Sequence, residues 1–167
     1  MCAAFFEHAT KLIATDAARI AHSMPVGAKA SLPHIIPTTV NSAFSLELYL
    51  KCLRIIEGNP AGNTHDLECI FDKLLPESKK AIRKYFREEL NRKPIVIQLR
   101  AAGYSNRKLQ FRFILRNAKD AFEQWRYYFE RKRKTKSYNA EAIRHSVRRV
   151  IIERHPKWQV DLDSLYT

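Results

Sequence analysis

Glu47, Lys51 and Arg54 fall at positions i, i+4 and i+7 of a stretch that is otherwise apolar. At about 100° per residue these three gather in a sector of roughly 60°, while residues such as Leu46, Leu50, Leu53 and Ile56 spread around the rest of the circumference. A charged stripe on such a helix must reach solvent, a charge partner or a ligand. Thr64-His65-Asp66-Leu67 follows, setting an imidazole beside a carboxylate in the expected first turn of the next helix. Further on, Arg126 and Glu130 border an apolar helical face four residues apart, in the order that pairs less well on an exposed helix. Glu47, Lys51, His65, Asp66, Arg126 and Glu130 are therefore expected to form one polar network, more readily a structural lock than a site. A third constellation lies near the C-terminus. Seven positions bring Arg148 within about 20° of His155, with Arg144 on the same line, whereas Arg149 sits about 120° away.

These side chains must be held by helices. Ala3 to about Ser23 carries Phe5, Ala9, Leu12, Ile13, Ala17 and Ile20 at helical spacing. Residues 24–37, with three prolines and a glycine, predict a loop. Thr38 is a natural N-cap for a central helix running to about Glu57, and Thr64 for a short helix burying Leu67, Ile70, Phe71 and Leu74. Pro76 halts that helix, and Glu77 to about Arg92 forms another. The run from Pro94 to Leu99 lacks a partner strand and reads as an irregular connector. Asn106 to Arg131 gives a clean apolar face through Phe111, Leu115, Phe122 and Trp125, followed by a basic loop over 131–138. A last helix from about Ala140 ends at Arg154, ahead of Pro156. The sum is an all-α, up-and-down bundle of about five or six helices in one domain spanning 1–167, with Leu48, Leu50, Phe71, Phe122 and Trp125 in its core.

Composition narrows the classes. The 167 residues are 46% hydrophobic with only four glycines, enough for one core and poor in turn-formers. Three cysteines and six histidines show no zinc spacing, and no glycine loop or nucleophile elbow occurs, so neither a metal nor a cofactor is expected. Glu7, His8 and Lys11 interrupt the first apolar run, and no stretch approaches a membrane span, so a cytoplasmic, reducing location is the expectation. A formal net charge of +13 favours polyanions through phosphate neutralisation. Arg131, Lys132, Arg133, Lys134 and Lys136, near Tyr127, Tyr128 and Tyr138, fit an RNA-tracking loop.

The Glu47-Leu-Tyr-Leu-Lys51 helix, the Thr64-His-Asp-Leu67 turn and the run from Phe122 to Glu130 together resemble the HEPN superfamily of small helical nucleotide- and RNA-associated domains. The resemblance spans roughly Ala3 to Trp158, in short, degenerate motifs. It implies a homodimer and an RNA partner, with metal-independent endoribonuclease activity of the defence or toxin kind. In that family an arginine, four to six residues and then a histidine carry the chemistry. The histidine moves protons while the ribose 2′-hydroxyl attacks the adjacent phosphate, and the arginine stabilises the charge that develops. Arg148 and His155 meet that spacing, with Arg144 beside them, although the polar residue that usually follows the arginine is replaced by Arg149. The alternative is a non-catalytic module that binds a partner protein, such as an antitoxin or effector subunit, or a nucleotide.

Overall fold

The computed structural model describes residues 2–23, 35–101, 110–118 and 141–159. The regular structure among them is helical: α1 (Cys2–Ser23), α2 (Ile35–Ile56), α3 (Leu67–Asp72), α4 (Pro76–Arg92), α5 (Pro94–Ala101), α6 (Phe111–Ala118), α7 (Glu141–Arg154) and a 3-10 turn over Pro156–Trp158. The described portion is thus an all-α bundle.

The centre is α2, which packs against α1, α3 and α7, while α4 lies along α7. Leu46, Leu50 and Leu53 are fully buried and share one core with Ile70 and Phe71 of α3, Ile82 and Phe86 of α4, and Ile143 and Val147 of α7. Burying one such side chain contributes about 1.5–3 kcal/mol, so this shared core carries most of the stability. Leu50 and Phe71 occupy the core as expected, and Leu48 packs half-buried against it. Phe111 brings α6 in, its ring 4.7 Å from Phe71 and 5.2 Å from Phe86. Phe122 and Trp125 lie outside the described residues.

Several boundaries differ from the sequence reading, each for a local reason. The central helix begins at Ile35, so Thr38 lies inside it and the predicted loop loses its last three positions. Pro37 is accommodated because the first helical turn leaves its N–H groups unbonded in any case. The short helix is capped by Asp66, whose carboxylate accepts from the Glu68 and Cys69 amides at 2.9 and 3.0 Å. Thr64 acts one step earlier, its hydroxyl accepting from the Asp66 amide. Asp66 is therefore the cap rather than a first-turn residue. The segment after Pro94 is helix, not connector: proline suits a first helical position, and Val96 reaches the core. In α1 the buried stripe is Ala3, Glu7 and Thr10, while Phe5 and Leu12 of the expected face are exposed.

Pro76 is the first residue of α4, and its N-cap, Leu75, has no side chain to satisfy the free amides. Glu57, the residue after α2, braces this helix start through other groups. Its carboxylate accepts from the Leu75 amide at 3.0 Å and from the Ser78 hydroxyl. Arg154 then donates to Ser78 at 2.6 Å and lies 3.6 Å from Glu57. Negative charge at a helix N-terminus is favourable, and one buried carboxylate thereby ties α2, α4 and α7 together.

Candidate functional site

The polar network expected around Glu47 forms in part. The Glu47 side chain is nearly fully buried, with Lys51 Nζ at 2.8 Å and His65 Nδ1 at 2.9 Å from the same carboxylate oxygen. Asp66 caps α3 with one carboxylate oxygen. Arg54, the third member of the stripe, donates to the Ala61 carbonyl at 3.1 Å, organising the loop after α2. Arg126 and Glu130 lie outside the described residues. A carboxylate so enclosed is costly unless its charge is matched, and Lys51, one turn away, matches it.

The Arg144–Arg148 stripe meets a partner that periodicity does not reveal. Glu7 of α1 is buried against α7, with Arg144 Nε at 3.8 Å, His145 Nε2 at 3.5 Å and Arg148 Nε at 3.6 Å from its carboxylate. Tyr49 of α2 donates its hydroxyl to the same carboxylate at 2.6 Å. Burial pushes the Glu7 carboxyl up, but His145, Tyr49 and the Arg144 charge outweigh it and bring the pKa down to about 2. Burial and that carboxylate together raise the Tyr49 phenol, which stays protonated. Arg144 is itself 2% exposed and donates to Ser42 at 2.9 Å. It departs from the expected role: an inward-facing guanidinium cannot steer an RNA backbone, and its charge serves Glu7.

Arg148 and His155 are placed differently. Arg148 is part-exposed and lines a half-open cleft between α1, α2 and α7. His155 has left the helix, with φ −134° and ψ 73°, as a residue before proline tends to do. Its ring stacks on Trp158 at 4.3 Å and 14°. Trp158 lines the same cleft as Arg148. Arg148 thus lines the cavity with its Nε toward Glu7, and His155 adjoins it through its stack on Trp158.

A second concavity carries a different charge pattern. Lys79, Lys80, Arg83 and Arg87 of α4, with Arg112 of α6, line a groove of about 650 Å³ over a floor that includes Phe86, Leu90 and Phe111. Positions 80, 83 and 87 share one helical face, so the charges repeat along the groove at about 4.5–6 Å of helix rise. Arg112 is held in the wall by Asp72, in two hydrogen bonds of 2.6 and 3.0 Å, and approaches Glu68 at 3.3 Å. The Arg112 guanidinium beside Asp72 holds that carboxyl below its ordinary range. Among the described residues no carboxylate lines the groove, and Lys80, Arg83 and Arg87 are exposed. The apolar periodicity of α4 marks its core face and says nothing of this surface. A signal is nonetheless present in the Lys-Lys-x-x-Arg-Lys-x-x-Arg spacing from Lys79 to Arg87. The basic loop over 131–138 lies outside the described residues.

Among the described residues no group of His, Cys, Asp and Glu is arranged to hold a metal ion, and no helix is long and apolar enough to cross a membrane. Cys52 and Cys69 are free thiols, and burial raises the pKa of Cys52, which opposes thiolate chemistry there. Comparison with family models, curated proteins and solved structures finds no match to this chain.

Proposed function

We propose that this protein is a HEPN-like helical domain that binds RNA along the groove between α4 and α6. The observation that carries this reading is the row Lys79, Lys80, Arg83 and Arg87, with no carboxylate among the described residues of the lining. Lys and Arg so spaced neutralise successive phosphates, and the chain's excess of 13 positive charges supplies long-range attraction. The apolar floor gives bases or ribose edges a surface beside the charges. The sequence resemblance favours RNA over DNA. Binding is better supported than cleavage, because the groove sets four cations in a row, whereas His155 has left the α7 helix line that it would share with Arg148 and is stacked on Trp158.

The test is fluorescence anisotropy with a labelled single-stranded RNA across a salt series. Replacing Lys79, Lys80, Arg83 and Arg87 with glutamine should weaken binding and flatten its salt dependence. Unchanged affinity in that variant, with the fold retained, would move the surface elsewhere and advance the partner-protein reading.

A further inference from the structure

The cleft that Arg148 and Trp158 share has features the RNA reading does not use. It encloses about 640 Å³, within the usual range of small-ligand sites, and its lining is dominated by aliphatic side chains from α1, α2 and α7. Leu48 and Ile151 are among its inner residues, while Ile55 and Trp158 stand 60% and 50% exposed at the cleft. Large apolar side chains gathered at a concave surface mark a place where something apolar binds.

The charges in the lining are all of one sign. Lys51, Arg148 and Lys157 contribute to it, and among the described residues no carboxylate does. Lys51 has one of its three donors on Glu47. Arg148 turns its Nε toward Glu7, and its terminal nitrogens form no hydrogen bond among the described residues. Lys157 is exposed and forms no ion pair among them. Spare cationic donors therefore border an aliphatic trough. A nucleotide fits poorly, because its base would bury several polar edges where the lining offers few groups to meet them. The Tyr49 hydroxyl, the obvious candidate, is committed to Glu7.

We propose that this cleft binds a dissolved amphipathic monoanion, an aliphatic carboxylate of the fatty-acid class. Its tail lies along the Leu48, Ile55 and Ile151 side, and its carboxylate meets Arg148 and Lys157. The site is separate from the α4–α6 groove, and the proposal stands whether or not RNA binds there.

Isothermal titration of the full chain with decanoate, decanol and decyltrimethylammonium tests it. Decanoate should bind at one site, more tightly than the alcohol, and the cationic amphiphile should not bind there. Ile55→Glu, at an exposed position that leaves the core intact, should weaken decanoate at least about tenfold. Lys157→Glu should weaken it about threefold, as befits an exposed charge. Thermal melts of both variants check that the fold persists. Equal affinity for decanol overturns the anion requirement, and undiminished binding in Ile55→Glu overturns the location. Two further outcomes also defeat the proposal: co-sedimentation with phosphatidylglycerol vesicles without uptake of dissolved decanoate, and capture of an acidic amphipathic peptide where decanoate fails.

Discussion

Tyr49 donates its phenol to the Glu7 carboxylate across 2.6 Å, joining α1 to α2 at a point where α7 supplies Arg144, His145 and Arg148. One buried carboxylate thus orders three helices. Glu7→Gln should destabilise the fold by about 3 kcal/mol, because it leaves a buried guanidinium without its counter-charge. Glu7's depressed pKa fixes the sign of the pH dependence. Its contribution is complete above the ordinary value of 4.5 and disappears as pH falls toward about 2. Denaturant melts across that range should show the wild type losing stability more steeply than Glu7→Gln. Parallel curves would mean that Glu7 is not the group responsible.

Glu57 holds the start of α4 through the Leu75 amide and the Ser78 hydroxyl. Glu57→Ala should cost about 3 kcal/mol, since it leaves the Leu75 amide and the Ser78 hydroxyl without their acceptor and strands Arg154. Arg154→Ala should cost about 1 kcal/mol, because the Arg154 side chain is a third exposed and solvent replaces part of the interaction. Chemical denaturation would order the two. A larger loss for Arg154 would contradict the central place given to Glu57.

Gly58 and Gly62 both adopt positive φ, 78° and 77°, in the loop between α2 and α3. A side chain at Gly58 meets open space, whereas a Cβ at Gly62 would stand 3.0 Å from the Arg54 guanidinium that holds this loop. Each alanine incurs the left-handed strain of about 1 kcal/mol. Gly62→Ala should cost more, by whatever the shift of a buried arginine requires. Comparable melting temperatures for the two variants would show that Arg54 yields freely.

The groove predicts a number for RNA. Every phosphate of a single strand that is no longer neutralised takes about 0.7 off the log–log salt slope, so the quadruple glutamine variant of α4 should flatten it by about 2–3. The matching change at Arg131, Lys132, Arg133 and Lys134 is the comparator. A larger effect there would give the loop the leading role.

Should cleavage accompany binding, the Arg148–His155 chemistry makes a separate forecast. Activity should persist in EDTA and leave a 2′,3′-cyclic phosphate, and His155→Ala should abolish it at a stability cost of about 1 kcal/mol from the missing Trp158 stack. Magnesium dependence, or full activity in that variant, would leave these residues to the cleft alone.

The all-helical class, the helix limits of α1 and α7, and the burial of Leu50 and Phe71 were legible in the sequence because hydrophobic period and proline placement are local properties. So were Glu47 and Lys51, one turn apart on a single helix. The partners of polar residues were not legible. Glu7 read as an interruption of an apolar run, yet tertiary packing makes it the counter-charge of Arg144, and the exposed positions of Phe5 and Leu12 follow from that choice of face. Arg144 and Arg148 share a line on α7, but packing turns the first inward and sets the second at a cleft. Periodicity gives the angle of a side chain about its own helix. Only the docking of α1, α2 and α7 decides which angle meets solvent and which meets a carboxylate forty-two residues or more away in sequence.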